Sequence, residues 1–409
     1  MLNTENPAYI PIVLPSDGPA LEHLPAASAL MLSAVYGVNP RLEPLVRVAR
    51  ERAQLLLVDP KTAHFQFEGH MSMPDYQALP YSPGRGALGT LWEPSRFSRA
   101  AARDALIGDV FDAQRKLGAD MLLAPYFYIP HPQHAWVQAC RAFAEDAMNS
   151  SPGTPVGVPI CVDIDAIIEP GHLETVVAAY RGLRPALFWL TIVNFDERRA
   201  DPRDLRTVVT FLRALQADGV PVVLSHVGRA GLLAIACGAA GFAAGTHGLE
   251  TYPRALFREM MGTRPANSYY LHECYIHLPV HVAQACLELD GPNAHPTCGC
   301  AACDHQTTVT RMISRRLSLH SMVRRFMEVD DLRSVDPDGR CRHLIERFSA
   351  ALQRAPELSE AISTTGTLLA RRGATNAPPI RDGDFHYLEV LREAAGGPAA
   401  TIPREEEPD

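Results

Sequence analysis

The sequence predicts an α/β protein: a (β/α)8 barrel of the TIM type with a C-terminal Cys3His metal module and a helical tail. Three observations lead there. Short apolar, β-branched runs alternate with amphipathic helical stretches through the first 250 residues. Such runs are the strands of a parallel sheet buried on both faces, with helices as the crossovers. After residue 250 the alternation stops, and a cysteine-rich turn and a series of helices follow. The length of 409 residues suits a barrel of roughly 250 residues with an appended module.

Seven candidate strands can be read in order: ALMLSAVYG (29–37), AQLLLVD (53–59), DMLLAPYFYI (120–129), GVPICVDIDAI (157–167), ALFWLTIVNF (186–195), GVPVVLSHVG (219–228) and AAGFAAGTHG (239–248). An eighth, in SYYLHECYIHL (268–278) or near Leu91, would close a barrel. An open doubly wound sheet is the alternative, although no GxGxxG follows the first strand. Residues 95–118 and 201–219 place apolar side chains at helical spacing, and each stretch ends on glycine. Asp201 is the N-cap of the second, with Pro202 at its first helical position. Residues 279–290, 307–333, 341–372 and 386–394 also read as helical. The predicted domains are a barrel over 1–278, the metal module over 279–340, C-terminal helices over 341–395, and a disordered tail over 396–409.

Hydrophobic residues make up 47% of the chain and charged residues 21%, enough for a core that needs no disulfide. The net charge of −8 excludes a general basic coat for nucleic acid but leaves room for a local basic patch. No charged-then-apolar leader opens the chain, and no run approaches the ~18 apolar residues of a membrane span. A cytoplasmic location with reduced thiols is the expectation, so clustered cysteines point to metal. Of nine cysteines, Cys140, Cys161, Cys237, Cys274, Cys286 and Cys341 are scattered and read as small buried hydrophobes.

Cys298, Cys300 and Cys303 cluster in CGCAACDHQ. They supply three soft ligands from one tight turn, and zinc wants a fourth. His305 is near in sequence but poorly aimed. His320, on the helix of RRLSLHSMVRRF, can return to the open corner. Cys3His is a closed set with no place for substrate, so the zinc is expected to be structural.

This arrangement resembles the zinc module of the tRNA-guanine transglycosylases, the queuine and archaeosine tRNA-ribosyltransferases. There CxCxxC is followed by a helical spacer and a ligating histidine at the start of a long helix. LSLHSMVRRFMEVDDL (317–332) looks like that helix, with a spacer shorter by roughly two turns. Upstream, LLLVDPKTAHFQF (55–67) is similar to the family's DSGGFQ turn at Asp59 and Gln66 but lacks its glycines. Residues 219–245 are similar to its late strand–helix–strand segment. The resemblance covers about residues 50–335.

It implies a barrel enzyme in which one carboxylate displaces a guanine from its sugar and a second moves the proton, with a 7-deazaguanine entering. The polymer would be tRNA or, as in DNA-directed relatives that insert 7-deazaguanines, DNA. Asp59 matches the acid–base aspartate. The nucleophile position falls on Ala243, which cannot attack. Asp163, Asp165 and Glu250 are the replacement candidates. Gln66, Tyr126, Asn194, His226 and His247 are candidate substrate contacts, Tyr126 lying in an aromatic run that could stack a flipped base. Arg311, Arg315, Arg316 and Arg324, with Arg325 beside them, form a candidate phosphate-binding face. The family's habit of pairing through its zinc region implies a homodimer. Two other readings stay open: a non-catalytic subunit that binds nucleic acid or a catalytic partner, and a barrel enzyme on a small molecule.

Overall fold

The computed structural model describes residues 2–83, 90–246, 250–257, 268–289, 298–303, 308–371 and 385–396, with backbone alone over 366–371. Nine parallel-paired segments form its centre: β1 (Ala8–Pro11), β2 (Leu30–Ser33), β3 (Leu56–Asp59), β4 (Leu122–Leu123), β5 (Tyr128–Ile129), β6 (Val156–Asp163), β7 (Leu187–Val193), β8 (Val222–Ser225) and β9 (Gly241–Ala244). One sheet runs β1-β9-β8-β7-β6-β4, with β5 also on β6, and β2 and β3 form a second. Every pairing among these strands is parallel. Single parallel bridges join the two sheets at both edges, Ile12 to Met31 and Leu57 to Met121. The chain is thus a mixed α/β protein built on a curved parallel sheet.

Alternation along the strands separates two cores. Ile10, Met31, Leu57, Leu123, Trp189, Val223 and Ala243 pack with one another inside the curve. Their neighbours on the opposite face, such as Leu32, Val58, Ile160, Leu190 and Leu224, belong to the larger core beneath the helices. The helix Pro202–Gln216 begins as its sequence dictates, with the Asp201 side chain accepting from Asp204 N at 2.9 Å. Gly118 and Gly219 both take the left-handed conformation after their helices, at φ 77° and 76°.

The parallel strand beside β9 comes from the N-terminus, not from residues 268–278 or the stretch near Leu91. β1, in the N-terminal AYIP, pairs with β9, whereas residues 268–278 fall in an antiparallel hairpin of β10 (Ser268–Leu271) and β11 (Ile276–Pro279). AYIP is short and ends in proline, so it carries little strand signal of its own. That hairpin packs on the helix Ser314–Arg333. The helices Val280–Glu288, Arg340–Arg371 and His386–Ala394 complete the C-terminal part. Residues 397–409 lie outside the described residues, as do His247 and His305. Among the described residues no helix is long and apolar enough to cross a membrane.

Candidate functional site

Two groups of side chains stand out. The first is the cysteine turn. Cys298, Cys300, Cys303 and His320 are all buried, and their ligand atoms lie within 4.8 Å of one another. The Cys298 sulfur is 3.2 Å from that of Cys300 and 3.0 Å from that of Cys303. His320 presents Nδ1 to the three sulfurs at 3.2–3.4 Å. Its Nε2 lies 2.8 Å from the Tyr270 carbonyl on β10, which fixes the tautomer that leaves Nδ1 free to ligate. The Tyr269 ring stacks on the imidazole at 4.2 Å.

Hydrogen bonds from Cys298 and Cys303 pull the Cys300 thiol far below its usual range. Burial disfavours charge on His320, yet the sulfurs raise it to about 9. Groups that stabilise negative sulfur beside positive charge are groups a soft cation fits. These four residues could hold a metal ion.

The second group lies at the C-terminal ends of the strands. Leu57 faces the inner core, so Asp59, two residues on, faces the same way at the rim. Its Oδ1 accepts from Lys61 N and from the Tyr126 hydroxyl, each at 2.8 Å, and its Oδ2 lies 2.8 Å from Lys61 Nζ. Burial would raise this carboxyl, but the Lys61 charge and these hydrogen bonds hold it below the usual range.

Asp163 ends β6 and meets the opposite balance. The Tyr128 hydroxyl donates to its Oδ2 at 2.5 Å, Asn194 Nδ2 donates to the same oxygen at 2.8 Å, and Asp165 N donates to Oδ1 at 3.2 Å. Here burial prevails and raises the carboxyl. Asp165 itself turns out to solvent, because the strand stops at Asp163.

Lys61, Asn194 and His226 are three of only four non-glycine residues with positive φ among the described residues, at 55°, 63° and 60°. All three follow strand ends. Strained backbone of this kind gathers at functional sites. His226 is buried on Ser225, Nδ1 to Oγ 2.8 Å, and burial followed by the Lys61 charge lowers it to about 3. His64 is held between tyrosines, Nε2 to Tyr252 Oη 2.8 Å and Nδ1 to Tyr76 Oη 3.2 Å, and is likewise kept neutral by burial and Lys61. Gln66 spends its amide on the Tyr128 backbone, at 2.6 and 3.1 Å, and so positions Tyr128.

Other candidates lie elsewhere. Glu250 is buried in an ion cluster with Arg325, with Arg229 at 3.9 Å and His277 at 3.6 Å. Ala243 lies inside β9 in the inner core, short of the rim, and the hydroxyl of Thr246 just beyond donates to Asp17 at 2.7 Å. Arg311 and Arg315 are exposed and Arg316 half-buried. Arg324 is buried with Nη1 on the Met327 sulfur at 3.6 Å, so any phosphate face narrows to the first three. Sequence reading missed Lys61, His64 and Tyr252, and took Tyr128 only as one of an aromatic run that could stack a base. The signal for Lys61 was present: the chain has two lysines against thirty-six arginines.

A recess of about 450 Å³ opens at the opposite end of the strands between Leu2, Gln54, Asp120 and Arg333. Asp120 there accepts from Leu56 N, and Arg333 donates to Pro7 O. The rim groups, not this recess, combine charge, strain and displaced titration.

No family model matches the chain, and no curated relative matches it. Among solved structures it is similar to 3-dehydroquinate dehydratase from Enterococcus faecalis, at 12% identity and a TM-score of 0.32, covering 58% of this chain and 88% of that one. A putative fructose-1,6-biphosphate aldolase from Coccidioides immitis gives 11% identity and a TM-score of 0.33, over 80% of this chain and 90% of that one.

Proposed function

We propose that this chain is a base-exchange transglycosylase acting on a nucleic acid, tRNA or DNA, with guanine or a 7-deazaguanine as the exchanged base. One observation carries the reading. Two rim carboxylates, Asp59 and Asp163, are gripped by tyrosines from one segment, Tyr126 and Tyr128, and are displaced in opposite directions. Environments that push a carboxyl pair apart assign an ionised partner and a proton carrier. Asp163 is the acid that protonates the departing base and later accepts the proton of the incoming one. Asp59 stays ionised and stabilises the positive charge that grows on the sugar as the glycosidic bond breaks. These roles differ from the sequence expectation, which gave proton transfer to Asp59.

The scaffold in this reading is a (β/α)8 barrel closed at the Ile12–Met31 and Leu57–Met121 bridges, with β4 and β5 as one interrupted strand. Tetrahedral Cys3His suits zinc, and the set leaves no position for substrate. The zinc is structural: it holds His320 and thus the helix on which Arg325 reaches the barrel.

The test is incorporation of labelled guanine or a labelled 7-deazaguanine into tRNA and into duplex DNA by the zinc-loaded protein. Incorporation that Asp163→Asn lowers by about 100-fold or more fits a lost acid–base group. Folded, zinc-loaded protein that labels neither polymer overturns the reading.

A further inference from the structure

A base-exchange site needs a group that holds the sugar between the two bases, and no carboxylate stands at the end of β9 to do so among the described residues. We infer that the ε-amine of Lys61 is the covalent nucleophile of this site. The inference rests on the proposed base exchange and deepens it.

Three observations on Lys61 converge. It follows a strand end in the left-handed conformation, φ 55°, which fixes its stem at the rim. Its Nζ lies 2.8 Å from Asp59 Oδ2 and 5.9 Å from the Tyr252 ring centroid, between an acceptor and an aromatic wall, with the side chain still 15% exposed. And the chain meets almost every need for positive charge with arginine, thirty-six times against two. The other lysine, Lys116, closes an exposed helix end. If position 61 served only to pair with Asp59, a guanidinium would serve. What lysine adds is a proton that can leave and a nitrogen that can then form a bond to carbon.

The step balances without any redox partner. Lys61 releases one ammonium proton to solvent, and its free amine attacks the anomeric carbon while Asp59 stays ionised beside it. The glycosidic C–N bond breaks, and the departing base takes its proton from Asp163. The new C–N linkage returns a proton to the Asp163 carboxylate. Asp163 then protonates the ring oxygen, the ring C–O bond opens, and the nitrogen lone pair closes a protonated imine to the sugar. The incoming base reverses the sequence. Neutral His64 and His226 place no second positive charge beside the amine.

The experiment uses the full zinc-loaded chain, a DNA oligonucleotide bearing one abasic site, and sodium borohydride, with label exchange into tRNA and DNA measured in parallel. The expected result is a reduced adduct that maps to the Lys61 peptide. Lys61→Arg, which keeps the charge beside Asp59, should abolish both adduct and exchange, while Lys116→Arg keeps both. Exchange without any adduct, or an adduct that survives in Lys61→Arg, overturns the lysine nucleophile and leaves base exchange standing. An adduct at Lys61 without exchange supports the amine and overturns the base-exchange reading. Neither adduct nor exchange overturns both.

Discussion

The four residues that could hold a metal come from one stretch of chain, Cys298 to His320, three of them from a single turn. The rim groups come from five strands, one or two from each: Asp59 at the end of β3 with Lys61 after it, Tyr126 before β5 and Tyr128 opening it, Asp163 at the end of β6, Asn194 after β7 and His226 after β8. The first arrangement is bought with local spacing and fails as a unit. The second is set by strand register, so each member can be lost without the others moving. The metal module should therefore answer to mutation chiefly in stability, and the rim chiefly in activity.

Removing the metal gives the largest expected effect. Cys300→Ser leaves Cys298, Cys303 and His320 as the only ligands for a metal held there, a chelator removes that metal, and the binding energy of a structural site is folding energy. A loss on the order of several kcal/mol is expected, read as a large fall in melting temperature with loss of bound metal by elemental analysis. Asp163→Asn should shift the melting temperature far less. Equal shifts in the two variants would break the comparison.

The join between the regions comes next. Two arginines and three glutamates are buried together: Glu197 pairs with Arg229 at 2.8 Å, Glu250 with Arg325, and Arg325 with Glu328 at 3.3 Å. Glu197 also accepts from the amides of Gly228, Arg229 and Ala230 at 2.8–3.0 Å, so the start of the helix Arg229–Ala236 is satisfied from within the chain. The Arg325 guanidinium lies over the Tyr270 ring at 4.3 Å, and Arg229 over Tyr387 at 3.9 Å. Arg325→Met strips Glu250 of its nearest cation and should cost about 3–5 kcal/mol by chemical denaturation. Gly228→Ala tests the same join more gently, because a Cβ there would lie 2.5 Å from the Glu250 carboxyl. A variant with unchanged midpoint would show that the two regions are stable independently.

What the sequence disclosed follows the same division. CxCxxC and a histidine on the next helix name their partners by spacing, and the four come together. The alternating apolar runs at 157–167 and 186–195 became β6 and β7, because long buried strands advertise themselves. Glu250 and Arg324 were indistinguishable in sequence from solvated loop and helix charges; only tertiary packing shows them buried. Asp163 could be seen at a strand end, but not its tyrosine, since Tyr128 reaches it across a strand pairing that no local pattern encodes.

The smallest effect concerns protons. His64 and His226 are neutral in the folded chain, with His226 lowered to about 3 from a value near 6.5 when unfolded. A histidine depressed by folding binds fewer protons in the native than in the unfolded state, so stability is fully present above about pH 6.5 and falls as pH drops towards 3. The metal ligands also compete with protons as pH falls, so the rim contribution must be taken as a difference. In His226→Gln, which keeps a polar partner for Ser225 but cannot titrate, the slope of unfolding free energy against pH between about 6.5 and 4 should flatten. Flattening by up to one proton's worth, with metal content unchanged, assigns that slope to the rim; an unaltered slope places it in the metal module instead.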